Sequence, residues 1–170
     1  AYQRRRPLLE TAAGELERLA RVGLGGYEHE HLDRISFRVK STDSFIGKLE
    51  RRATKPPYTN PLAQVEDQIA GRVLVFFRHD IDPVIEILEQ TFHRVETSYH
   101  TPEKDAEFGY ESHHLVCLIP DQAKPLGWAE EVSMPETFEL QVRTLFMHAW
   151  AEPQHNLGYK AAGELAPGQK

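Results

Sequence analysis

Two acidic residues, Asp67 and Glu139, stand far apart in the chain but each adjoins a strand-like run that also carries cations. Glu139 lies in TFELQVRT, residues 137–144. Alternation there puts Phe138, Leu140 and Val142 on one side and Glu139, Gln141 and Arg143 on the other. Asp67 stands at the mouth of IAGRVLVFF, residues 69–77, in which Arg72 is the one charge. A guanidinium inside so apolar a run needs an anionic or stacking partner. Two more strand-like runs have polar faces, with Arg38 and Lys40 on one and Ser112 and His114 on the other.

Two carboxylates beside a basic cluster suit magnesium–nucleotide chemistry. Mg²⁺ prefers a couple of carboxylate oxygens, with phosphate and water completing its octahedron. Lysine and arginine neutralise the charge that spreads over phosphoryl oxygens, and a carboxylate can accept a proton from an attacking hydroxyl. Neither a GxxxxGK[ST] loop nor a kinase glycine-rich loop is present, so side chains on strands would have to hold the phosphate. A solvated sheet face remains the plain alternative on periodicity alone.

Charge distribution narrows the ligand class. The net charge of −6 argues against general nucleic-acid binding. Between Arg34 and Lys55, however, seven basic residues accompany two acidic ones, a local +5. Either a solvated basic helix or a site for a compact anion would account for it. The single cysteine, Cys117, excludes an internal disulfide and a cysteine-based zinc site. The closest histidine pairs, His29/His31 and His113/His114, lack a second pair at zinc-finger spacing, so no structural metal is expected.

The elements that must position these residues follow from periodicity. Helical spacing runs from Leu8 to Val22 and stops at the glycines of GLGG. ISFRVKS, residues 35–41, alternates as a strand and leads into a helix to about Arg52. Thr42 or Asp43 would cap that helix, with Phe45, Ile46 and Leu49 as its apolar stripe. KPPYTNP reads as a loop, and residues 69–77 read as a central strand covered on both sides. A helix over 82–92, strands over 93–98 and 112–120, and a polar loop over 121–135 come next. The Glu139 strand leads to a helix from about Leu145 to His155, bent near Pro153. Strands alternating with helices predict an α/β fold of the α+β type, a mixed β-sheet flanked by helices, in one domain. Residues 1–30 would be an N-terminal helix and linker, 31–160 the core and 161–170 a tail. The basic start AYQRRRPLLE has no apolar stretch behind it and does not read as a signal peptide. The missing initial methionine suggests an excerpt from a longer chain.

Four blocks together resemble a known family. DQIAGRVLVFF has the acid–x4–arginine start of the RelA/SpoT synthetase strand, and FGYESHHL is similar to that family's G-Y-x-S-x-H segment. ELQVRTLFMHAWAEPQH resembles its E-x-Q-x-R-T…W-A-x-x-x-H signature, and RVKSTDSFIGKLERR its opening basic strand and helix. The blocks keep the family's order from Arg38 to Lys160. The resemblance implies a nucleotidyltransferase-like domain that moves pyrophosphate from ATP to the ribose 3′-hydroxyl of GDP or GTP, giving AMP and the alarmones ppGpp or pppGpp.

Matched by position, Asp67 would hold Mg²⁺, and Glu139 would activate the 3′-hydroxyl close to the metal. Arg38 and Arg72 would sandwich the adenine of ATP, while Lys40, Lys48 and Arg51 or Arg52 would grip its phosphates. Tyr110 would stack on the acceptor base, with Ser112, His114 and Gln141 around that nucleotide and Arg143 bracing the site. Trp150 and His155 would be framework, His113 is without a role, and Cys117 would be core.

The same resemblance leaves other outcomes open. Toxin relatives use adenine nucleotides to make (p)ppApp or modify the tRNA 3′ end, and a catalytically silent nucleotide sensor would keep the fold alone. The resemblance implies cytoplasmic action, with secretion as an effector toxin and an antitoxin or immunity partner as further options; oligomeric state stays open. Two positions depart from the family's pattern: Glu111 where arginine is common, and Phe37 where glycine is common. The segment holds no metal-dependent hydrolase domain and no long carboxy-terminal assembly helices, which points to a synthesis-only module.

Overall fold

The structure is a computed structural model that describes residues 1–27, 30–51, 58–100 and 112–149. Helix α1 (Tyr2–Gly23) is followed by strand β1 (Leu32–Val39), α2 (Thr42–Arg51) and a short α3 (Pro61–Gln64). Then come β2 (Ile69–Val75), α4 (Ile81–Thr91), β3 (Arg94–His100), β4 (Ser112–Leu118) and β5 (Thr137–Thr144). The five strands form one mixed sheet in the order β1-β2-β5-β4-β3, in which only β2 and β5 run parallel. This is the expected fold class. Among the described residues no helix is long and apolar enough to cross a membrane.

One face of the sheet makes the core. Ile35, Ile69, Val73, Phe138, Leu140 and Val142 are buried under α1 and α4. Phe37, the departure noted above, explains itself here. A Cβ on Gly71 would lie 2.6 Å from the Phe37 ring and 2.7 Å from Leu140. The ring, tilted against Phe138 at 5.9 Å, therefore fills the space that Gly71 leaves beside it. Helix α1 also covers the free edge of β1, where Glu17 accepts the Phe37 N–H and Arg21 donates to the Ile35 carbonyl.

Several expectations need correcting. Strand β2 ends at Val75, leaving Phe76 and Phe77 exposed, and its second face is only partly covered, with Leu74 buried there. Ala70 and Arg72 are half-buried on that second face, so Arg72 does not sit inside a sealed interior. Helix α1 starts at Tyr2, running through Pro7, because its first turn is anchored by tertiary contacts. Tyr2 stacks on Phe45 at 4.2 Å, and Arg5 is buried with bonds to Met134 Sδ and the carbonyls of Leu62 and Val132.

Helix α2 is capped by Ser41, whose Oγ accepts the Ser44 N–H, and not by Thr42 or Asp43. Its apolar face holds Phe45 and Leu49, while Ile46 turns out to solvent. The expected polar loop over 121–135 buries Ala123, Trp128 and Met134 against the core.

Candidate active site

The second face of the sheet collects the polar side chains. Register places Arg38 opposite Ala70, Ser36 opposite Arg72, Glu139 opposite Ala70, Gln141 opposite Arg72 and His114 opposite Gln141. Because alternate residues share a face, Arg38, Arg72, Glu139, Gln141, Ser112 and His114 all belong to this one. Arg38 and Arg72 are diagonal neighbours across β1 and β2, a relation that separates residues by about 7–8 Å. Two van der Waals gaps of roughly 3.5–4 Å fit a flat ring between two stacked planes at that spacing.

Asp67 lies in the 3₁₀ turn that leads into β2. Its two oxygens are matched separately: Lys40 Nζ is 2.9 Å from Oδ2 and Lys48 Nζ is 2.8 Å from Oδ1. Lys40 is held by its own backbone, since its N–H donates to the Gln68 carbonyl and its carbonyl accepts the Tyr2 hydroxyl. Burial pushes that phenol up to about 12, and the Asp67 charge acts in the same direction. Lys48 arrives from α2, one helical turn after Phe45.

Glu139 is held from within the sheet. His114 Nδ1 lies 2.7 Å from Oε1, and Gln141 Nε2 donates to the same oxygen at 2.6 Å. Burial alone would raise this carboxyl. The hydrogen bonds from His114 and Gln141, with the charges of His114 and Lys48, outweigh it and bring the group to about 2. Lys48 is thus 2.8 Å from Asp67 and close enough to act on Glu139, so both acids stand at one end of one face.

Ser112 is fully buried, and its Oγ has no hydrogen-bond partner among the described residues. Arg143, also buried, donates through Nη2 to His148 Nδ1 at 2.8 Å. Residues 145–149 begin a helix that Thr144 starts by accepting the Met147 N–H.

Of the thirteen expected site residues, Arg52 and Tyr110 lie outside the described residues, as do Trp150 and His155. Arg51 ends α2, with only its backbone described. Two participants were not anticipated. His148 orients Arg143 across a strand-to-helix turn, a spacing that no periodicity reveals. Glu66 has its carboxyl pushed up, by burial first and by the charge of Glu96 next, against the pull of Lys48. Its position beside Asp67 was the available signal. His113 faces away from His114, and Cys117 is buried, its thiol pushed up to about 12 by burial, as a core residue should be.

The chain is similar to several known proteins. Residues 37–164 match the family described as a region found in RelA / SpoT proteins. GTP pyrophosphokinase YjbM of Bacillus subtilis (strain 168) is 34% identical over 146 residues, covering 82% of this chain and 63% of that protein. The chain therefore spans less than two thirds of that relative. The crystal structure of the small alarmone synthetase 1 from Bacillus subtilis superposes with a TM-score of 0.73 at 29% identity, covering 98% of this chain and 84% of that one. Two further structures of that synthetase, bound to its product pppGpp and to AMPCPP, each give a TM-score of 0.63, at 27% and 28% identity and with 96% and 98% of this chain covered. They take in 85% and 83% of those chains. On the length of the match and the identity of its relatives, this chain belongs to the RelA/SpoT family.

Proposed function

We propose that this chain transfers pyrophosphate from ATP to the ribose 3′-hydroxyl of GDP or GTP, forming ppGpp or pppGpp and releasing AMP. The observation that carries this reading is the shared polar face, where Lys48 pairs with Asp67 and acts on Glu139 while Arg38 and Arg72 stand diagonally across β1 and β2. Residues 31–160 would be the catalytic unit, acting in the cytoplasm, where ATP and GTP are plentiful.

Each side chain then has a task. Arg38 and Arg72 clamp the adenine between guanidinium planes. Lys40 and Lys48, now on Asp67, have stems long enough to turn their ammonium groups onto ATP phosphates, with Arg51 or Arg52 adding charge. Glu139 accepts a hydrogen bond from the acceptor 3′-hydroxyl and orients its oxygen toward the β-phosphorus. The new bond joins the 3′-oxygen to that phosphorus, the bond to the α–β bridging oxygen breaks, and AMP leaves with the electron pair. His114 and Gln141 keep Glu139 ionised and aimed. A carboxyl near 2 is a weak base, so proton acceptance becomes favourable only as the hydroxyl acquires acidity in the transition state. Ser112 and Tyr110 would meet the acceptor nucleotide, with Arg143 bracing the floor.

The donor set fits a hard cation. Asp67 and Glu139 offer carboxylate oxygens at one end of the face, the donor type that Mg²⁺ prefers, while the imidazole of His114 is turned onto Glu139. These two residues would hold Mg²⁺, which, when bound, supplies positive charge to the phosphoryl oxygens.

Chromatography of the products from ATP with GDP, GTP, ADP or AMP tests the reading. Acceptor-dependent AMP with GDP or GTP is expected. AMP formed only with adenine acceptors would move the chain to the (p)ppApp chemistry, and nucleotide binding without AMP release would make it a sensor.

A further inference from the structure

The opposite end of the β1–β2 pair holds a second polar cluster that pyrophosphate transfer does not use. His31 precedes β1, while His79 and Asp80 lie in the 3₁₀ turn between β2 and α4. The antiparallel register pairs Leu32 with Val75, and the Phe76 N–H donates to the His31 carbonyl at 2.9 Å. The ladder therefore fixes the two chain segments side by side. Strand β2 separates this corner from Asp67 by seven residues, roughly 20 Å at a strand's rise.

We propose that His31 Nδ1, His79 Nε2 and the Asp80 carboxylate form a divalent transition-metal site of the zinc class. Together the three residues bring one donor atom each within 4.8 Å of one another. Asp80 is fully buried at the start of α4, yet its side chain makes no cap. Its Oδ1 accepts the Tyr27 hydroxyl at 3.2 Å and lies 3.0 Å from His31 Nδ1 and 3.5 Å from His79 Nε2. Its Oδ2 is buried with no hydrogen-bond partner among the described residues. His31 Nδ1 is also buried, and despite its closeness to Oδ1 the pair is too poorly aligned to count as a hydrogen bond.

A carboxylate oxygen and an imidazole nitrogen left unsatisfied side by side are costly in a protein interior. A cation accepting both lone pairs removes that cost. Two imidazoles and one carboxylate make up a three-ligand zinc set with an open position. The nitrogen donors disfavour Mg²⁺, so the site is chemically distinct from the Asp67 end. Ligand atoms around tetrahedral zinc sit roughly 3.3 Å apart, given bonds near 2.0–2.1 Å, so the donors must close in slightly. His79 can supply that movement, its side chain being 74% exposed and stacked flat on the exposed Phe77 ring. Bound metal would tie the start of β1 to the β2–α4 corner.

The test uses the chain stripped with a chelator and titrated with Zn²⁺ against a chromophoric competitor, followed by thermal melts with and without Zn²⁺. One equivalent of zinc should bind, raise the melting temperature and resist excess Mg²⁺. Losing an outer-shell partner costs roughly 10–100-fold in affinity, so His79→Ala and His31→Ala should each cost at least that and abolish the thermal shift. His79→Ala replaces an exposed side chain, so it stays informative even if the His31 variant fails to fold. Zinc binding that His79→Ala leaves unchanged, or no zinc-dependent stabilisation of the parent, overturns the proposal.

Discussion

The two faces of strand β5 differ in what they leave undone. On one face Phe138, Leu140 and Val142 are fully buried, and the packing is close enough that Gly71 has no room for a methyl group. On the other, Glu139 and Gln141 are half-buried, joined to each other and to His114, and aligned with cations on β1, β2 and α2. The first face is finished by the fold. The second is a set of matched charges, with Lys40 and Lys48 on Asp67 and with His114 and Gln141 on Glu139. Damage to the first face should therefore appear in stability, and damage to the second in turnover.

The largest effect expected is on Glu139. Glu139→Gln should lower turnover by roughly 10²–10⁴-fold while ATP binding, followed by calorimetry, stays close to that of the parent. Equal turnover would remove Glu139 from the reaction. Arg72→Ala should weaken ATP binding by roughly 2–30-fold through the lost stacking contact, with little change in melting temperature. Unchanged ATP affinity would count against the adenine clamp.

The core face should behave in the opposite way. Gly71→Ala forces the Phe37 ring or Leu140 aside and should cost about 1–3 kcal/mol in denaturant unfolding, with turnover per folded molecule preserved. A loss of turnover without loss of stability would break the division between faces.

Glu139 also links the two through pH. Its carboxyl is lowered from an ordinary 4.5 to about 2 in the folded chain. Its contribution to stability is therefore fully present above about pH 4.5 and is lost as pH falls through 2. Acid unfolding followed by circular dichroism should be steeper over that window for the parent than for Glu139→Gln. Parallel curves would show that the carboxylate is not held as described. The smallest effect concerns Cys117, whose buried thiol, raised to about 12, should resist alkylation at neutral pH until the chain unfolds.

Much of this division was legible in the residue order. TFELQVRT alternates so cleanly that its strand coincides with β5, and Asp82 to Phe92 differs from α4 by one residue at each end. Period-two reasoning gave each strand its polar side, the family resemblance gathered Arg38, Arg72, His114 and Glu139 into one site, and the strand register puts them on one face. What was not legible depends on distant partners. The first turn of α1 forms because Tyr2 finds Phe45 and Arg5 finds Met134, contacts that local spacing does not encode. Trp128 and Met134 look like loop residues until the core closes over them. His31 and Asp80 meet only because β1 and β2 pair in antiparallel register, which composition and histidine spacing cannot reveal.

The most direct test of the catalytic face follows phosphate labels through one reaction. ATP labelled at either the α- or the γ-phosphate is incubated with the chain, Mg²⁺ and GDP, and the products are separated. The account predicts that the γ-label travels to the guanine nucleotide while the α-label remains in AMP, in equal amounts. Transfer of the γ-label with α-labelled ADP left behind, or its release as free phosphate, would contradict it.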